Sequence, residues 1–141
     1  MDHFFCPEYF FLFQPAERDQ KDQQEEAYEK HQVFKNKRIE IDRALATTIT
    51  TELMDAGVNV SWFNQGIMNM TTPTKEFEKL IYSGKIKYKY NPVLEWMLSG
   101  CVKISDPNEN VKIHKGRSNA HGKRVDGIIA SIMALGGSLS M

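Results

Sequence analysis

This chain has few of the features that announce a function. Two cysteines, Cys6 and Cys101, stand far apart and in no paired motif. That excludes a disulfide-stapled secreted scaffold and fits a reducing cytoplasm. No apolar run is long enough to span a bilayer. The N-terminal aromatic stretch is short, is interrupted by Pro7 and Glu8, and has no basic region before it, so it does not read as a signal peptide. No glycine-rich lysine loop of the kind that cradles nucleotide phosphates occurs, and there is no internal repeat. Net charge is also missing: 18 basic residues balance 18 acidic ones. No serine or cysteine has a credible base beside it in sequence, which leaves no nucleophile of that type to assign.

The zero balance conceals an asymmetry. Residues 17–29 are mostly acidic, with Glu17, Asp19, Asp22, Glu25, Glu26 and Glu29. Residues 103–124 are mostly basic, with Lys103, Lys112, Lys115, Arg117, Lys123 and Arg124. A basic C-terminal half fits either a polyanionic partner or a solvated surface. At 141 residues, with 41% hydrophobic and 11% aromatic residues, the chain is long enough for one domain with a real core.

The aromatic run from Phe4 to Phe13 reads as a strand, or two split at Pro7, and the Gln-rich segment 16–31 as an exposed helix or linker. Arg38 to Asp42 is a short strand ending in a carboxylate. Ala44 to Asp55 is a helix with Leu45, Ile49 and Leu53 as its buried stripe, stopped at Gly57. Val58 to Phe63 is a second strand, which makes a βαβ unit and a parallel pair. Gly66 to Met70 reads as a loop. A helix then starts at Thr72-Pro73-Thr74 with Phe77, Leu80, Ile81 and Tyr82 on its apolar face, and ends at Gly84. Lys85 to Tyr90 alternates as an edge strand does. Asn91-Pro92 opens a helix whose core candidates are Val93, Leu94, Trp96, Met97 and Leu98, while Trp62 also reads as core. Residues 102–104 and 111–113 bracket the turn-rich 106–110 as a hairpin. A loop from Lys115 to Gly122 leads to an apolar helix beginning at Asp126.

That last helix holds the most informative residues. Ile128, Ile129, Ile132, Met133 and Leu135 require burial against other elements. Asp126 in its first turn is therefore held at the edge of a core, where a carboxylate needs a partner. It either favours the helix dipole or holds a cation. Asp42, at the carboxyl end of a strand, is either a turn former or a ligand at the place where open α/β sheets put their sites. Two carboxylates beside basic residues point toward metal-dependent chemistry on nucleic acid. His114, His121 and Cys101 have no closed zinc spacing.

From Glu40 to Leu135 the chain resembles the C-terminal nuclease domain of the large terminase subunit of tailed bacteriophages. The resemblance is carried by Ile41-Asp42-Arg43, Glu52-Leu53-Met54-Asp55-Ala56-Gly57, Phe63-Asn64-Gln65-Gly66 and Met70-Thr71-Thr72-Pro73-Thr74-Lys75-Glu76. It continues through Leu80-Ile81-Tyr82-Ser83-Gly84-Lys85-Ile86, Asn91-Pro92-Val93-Leu94-Glu95-Trp96-Met97-Leu98-Ser99 and Lys123-Arg124-Val125-Asp126-Gly127-Ile128-Ile129-Ala130. It implies an α/β, RNase H-like mixed sheet flanked by helices. It also implies an endonuclease that cuts concatemeric viral DNA during packaging with Mg²⁺ or Mn²⁺. Such a protein would meet double-stranded DNA, the terminase small subunit and the portal protein in the host cell cytoplasm. Asp42 matches the second of the family's three acids and Asp126 the third. No residue here matches the first, which lies on an opening strand. The fold is therefore expected to be incomplete at its N-terminus, with residues 1–38 a partial strand and linker and residues 39–141 the domain core. Lys115, Arg117, Lys123 and Arg124 are the candidate phosphate contacts. The alternative is a non-catalytic DNA-binding or packaging-assembly module on the same fold. Another RNase H-like nuclease or resolvase is a third reading.

Overall fold

A computed structural model describes residues 9–11, 38–42, 47–86, 90–120 and 124–140. The strands β1 (Tyr9–Phe11), β2 (Arg38–Asp42) and β3 (Val60–Phe63) form a sheet in the order β1-β2-β3, parallel throughout. The helix α1 (Thr47–Asp55) is the crossover between β2 and β3, so the expected βαβ unit is present. The helix α2 (Ile67–Tyr82) follows, then α3 (Pro92–Leu98), the antiparallel pair β4 (Lys103–Ser105) and β5 (Val111–Ile113), α4 (Lys115–Ala120) and α5 (Asp126–Leu139). In place of one mixed sheet, the described strands make two small sheets. The β4-β5 hairpin docks on α2 instead of extending the parallel sheet: the Val111 N–H donates to Thr71 Oγ1 at 2.9 Å.

The central strand β2 explains how the layers are assembled. Its side chains alternate between faces. Ile39 and Ile41 are buried with Ile49, Leu53, Val58 and Val60 on the face that carries α1. Arg38, Glu40 and Asp42 share the other face, and there α5 lies across the sheet. Two adjacent glycines let it come close. A Cβ on Gly136 would sit 2.7 Å from Phe63 Cε2, and one on Gly137 would run into the Glu40 carboxylate. The second core joins α2 to α5 through Met70, Phe77, Val125, Ile128, Ile129, Ile132 and Met133. Burying this many large side chains, each worth ~1.5–3 kcal/mol of transfer free energy, is what holds α5 in place.

Several local expectations change. The segment 67–70 is helical, because α2 starts at Ile67 and carries Pro73 inside it. The proline removes one ladder hydrogen bond, a cost of ~3 kcal/mol in an ordinary helix interior. Here its ring is buried beside Gly136, and Met70, one turn earlier, is 2% exposed in the second core. Tertiary packing therefore outweighs the stop signal. Trp62 is 41% exposed on β3, which among the described residues is paired on one side only. In α3, Val93, Trp96 and Leu98 are exposed, and only Leu94 and Met97 pack against the second core. Tyr82, at the last position of α2, is also exposed. Gly84 ends that helix as expected, at φ +65°. Lys85, Ile86 and Tyr90 belong to no strand, and residues 87–89 lie outside the described residues, as do most of the aromatic run and the segment 16–31.

Asp106 organises the hairpin turn. Its Oδ2 accepts from Asn110 Nδ2, and its Oδ1 accepts from the Asn108 and Asn110 backbone N–H groups. The Asn110 side-chain bond, with the two backbone bonds, holds its carboxyl below the usual carboxylate range against a smaller opposing effect of burial. A lowered folded-state value means this support is present at neutral pH and is lost as pH falls through it.

Candidate functional site

The two sequence-derived carboxylates sit on the elements expected of them. Asp42 is the last residue of β2 and shares the α5-facing side with Glu40. Asp126 is the first residue of α5, with a side chain 17% exposed. The direction of α5 relates the two. Its C-terminal end is tied to the beginning of β2, since Arg38 donates to the Gly137 carbonyl at 2.7 Å and to Ser140 Oγ at 3.3 Å. The helix therefore runs against the strands, and its N-terminus points toward their carboxyl ends. Asp42 and Asp126 consequently lie toward the same end of the molecule, with Asp126 roughly three helical turns from the Gly137 contact.

Beside Lys115 lies a cleft of about 460 Å³. Its apolar floor includes Met70 and Ile129, and its polar wall carries Gln65, Lys112, His114 and Lys115. Gln65 follows β3 and is fixed to α5 by an Nε2–H donated to Met133 Sδ at 3.3 Å. Lys115 reaches across to Asp126, with Nζ 3.5 Å from Oδ1. Among the described residues no group of three His, Cys, Asp or Glu side chains converges on a point.

Lys115 is placed by structure that sequence reasoning read as a loop. Residues 115–120 form α4, and His114 caps it: His114 Nδ1 accepts the Arg117 backbone N–H at 3.0 Å. With Nδ1 accepting, a neutral ring carries its proton on Nε2. Ser118, fully buried, donates to the His114 carbonyl at 2.9 Å and accepts the Val102 N–H at 3.0 Å. The His114 N–H in turn donates to the Val102 carbonyl. These bonds weld the first turn of α4 to the start of β4. The missed signal was the spacing His114 to Arg117, a side-chain acceptor three residues before an N–H, within a stretch dominated by glycine, serine and asparagine. Ser118→Ala is expected to lower stability by about 1 kcal/mol in urea denaturation, because it leaves the part-buried Val102 N–H without its acceptor. An unchanged denaturation midpoint would remove this weld from the account.

Of the four candidate phosphate contacts, Lys115 lines the cleft, while Arg117 and Arg124 are exposed, Arg124 two residues before Asp126. Lys123 lies outside the described residues, as does His121. Cys101 is half-buried beside the second core, and burial pushes its thiol up to about 11, so at neutral pH it is not a thiolate nucleophile. Among the described residues no helix is long and apolar enough to cross a membrane.

Comparison with known proteins gives these features a family. The model of the family described as "Terminase large subunit, endonuclease domain" matches residues 38–140. Protein YmfN of Escherichia coli K12 is 32% identical over 96 residues, which is 68% of this chain and 21% of that protein. The crystal structure of the HK97 bacteriophage large terminase superposes with a TM-score of 0.74 at 22% identity, over 84% of this chain and 25% of the other. The chain thus spans a quarter or less of the length of these two relatives, and the HK97 likeness speaks to the fold alone.

Proposed function

The chain belongs to the terminase large-subunit endonuclease domain family, and we propose that it is a metal-dependent endonuclease domain of RNase H-like architecture acting on double-stranded DNA. The biological substrate on this reading is concatemeric viral DNA, cut during genome packaging in the host cell cytoplasm. The small terminase subunit and the portal protein are its packaging partners. The observation that carries the proposal is Asp126, a mostly buried carboxylate at the start of the core helix, seated against Lys115 at the edge of a basic cleft.

The donor chemistry suits Mg²⁺ or Mn²⁺. Both carboxylates offer hard oxygen ligands, and such ions are commonly held by one or two carboxylates with water and substrate phosphate completing the shell. Asp42 and Asp126 would hold the ion, which when bound supplies a Lewis acid for phosphodiester hydrolysis. The protein's own contribution is positional. α5 fixes Asp126 through the core, β2 fixes Asp42, and Lys115, Arg117, Lys123 and Arg124 would bind phosphate oxygens and so set the register of the backbone. Such contacts carry no base specificity.

Nicking of supercoiled plasmid by the purified chain with Mn²⁺ tests this, beside an EDTA control and a gel-shift measurement. Nicking that EDTA abolishes is the expected result. The absence of a three-acid cluster among the described residues favours one other reading, a non-catalytic DNA-binding or packaging-assembly module. A folded protein that shifts DNA but never nicks it would establish that reading instead.

A further inference from the structure

The contact between Lys115 and Asp126 joins a residue suited to phosphate with a residue suited to metal. An ammonium and a divalent cation compete for one carboxylate, since each is drawn to the same oxygens and repels the other. The backbone of Lys115 is immobilised from both sides by the His114 cap and the Ser118 bonds to Val102. Its side chain is about half exposed, on a flexible four-carbon stem. The ammonium is therefore free to leave Asp126 without any movement of α4, and the cleft it lines offers it a second position.

We propose that Lys115 is an internal counter-ion that occupies Asp126 in the metal-free protein and is displaced by the divalent ion, after which its ammonium serves the phosphate in the adjoining cleft. This rests on the metal-site reading above. The energetic ordering is consistent with exchange. A part-exposed ion pair at 3.5 Å is weak, so it delays metal entry without preventing it. Directly coordinated divalent metal replaces it once the ion is abundant. A phosphate that takes up the ammonium removes the competitor from Asp126, and by reciprocity metal and DNA then assist each other's binding.

The test is a Mn²⁺ titration without DNA, read by electron paramagnetic resonance of the free ion, on proteins shown to be folded by circular dichroism. Lys115→Met is expected to bind Mn²⁺ about fivefold more tightly than the parent, the size expected from deleting a weak competing pair. Lys115→Arg is expected to bind it more weakly than the parent, because a guanidinium grips a carboxylate with a two-pronged fork and yields it less readily. Asp126→Asn is expected to lose the site. A merely general positive charge would make Arg and Lys equivalent, and that result overturns the exchange. Parent-like Mn²⁺ binding in both Lys115 variants, with loss in Asp126→Asn, also overturns it while leaving the metal site standing. Parent-like binding in Asp126→Asn, or no binding by the parent at millimolar Mn²⁺, removes the metal-site reading itself.

Discussion

Asp126→Asn is expected to reduce Mn²⁺-dependent plasmid nicking by at least about a hundredfold while leaving the melting temperature within a few degrees of the parent. The two halves of this expectation have different physical origins. Replacing one carboxylate oxygen by an amide nitrogen removes a unit of negative charge from a site that has few such charges to offer. Even mutations one shell further out commonly cost about 10–100-fold in metal affinity or activity, so loss of a direct ligand should exceed that. The fold loses much less. Asparagine is nearly isosteric, and the side chain it replaces is tied to a half-exposed lysine, a type of pair worth about 0–1 kcal/mol. Loss of the acidic charge in the first turn of α5 forfeits a helix-dipole interaction of only about 0.3–1 kcal/mol. Nicking rates and thermal melts on the same preparation separate the outcomes. Unchanged nicking would show that Asp126 holds no catalytic ion. A collapse in melting temperature would mean that the carboxylate is a structural element and that its loss cannot be read as chemistry.

The parts of this molecule that were legible in the sequence are those where one local rule acts alone. Asp42 ends β2 as its position after Ile39 and Ile41 implied, and Asp126 begins α5 because the apolar run after it has the period of a buried helix. The βαβ unit followed from short joints between alternating segments. The parts that were not legible are those where tertiary packing decides. Pro73 looks like a helix start, yet α2 begins six residues earlier, because Met70 and Pro73 itself are buried in the completed core. Trp96 looks like a core residue, yet α3 lays only Leu94 and Met97 on α5. The site shows the same division. Its acids were visible as residues, but the helical turn that carries Lys115 to Asp126 depends on the His114 cap and on the Ser118 bond to Val102, two positions 16 residues apart whose pairing only the folded chain brings about. Glu40 is the clearest omission. As a sequence position it is one acidic residue in a strand, whereas it is 2% exposed and pairs with Arg38, whose guanidinium bonds the terminal helix.

That buried residue underlies the second large effect. Gly137→Ala is expected to lower the melting temperature by about 10 °C or more. Helix propensity alone predicts the opposite sign, since alanine is favoured over glycine inside a helix by ~1 kcal/mol. Sterics decide against it. A Cβ at residue 137 would lie 2.7 Å from Glu40 Cδ and 2.8 Å from Cγ, distances at which one of the two elements has to move. Neither moves cheaply. The Glu40 carboxylate is bonded to Arg38 Nε, and the same guanidinium donates to the Gly137 carbonyl and to Ser140 Oγ. Rotating Glu40 away breaks a pair whose acid is buried, and separating such partners costs on the order of 3–5 kcal/mol. Lifting α5 instead opens a gap over Phe63 and Pro73, which touch the neighbouring Gly136. Overpacking of a tight core by one methyl group costs ~1–3 kcal/mol even where it can relax. Subtracting the propensity gain leaves a net loss near 3 kcal/mol, about 10 °C for a chain of this size. The end of α5 also receives a cation from Arg38, which suits the negative end of its dipole, so displacement of the clamp removes a second favourable interaction. A thermal melt that is unchanged or raised would mean that α5 does not approach the sheet this closely, and with it would go the antiparallel placement that carries Asp126 to the same end of the molecule as Asp42.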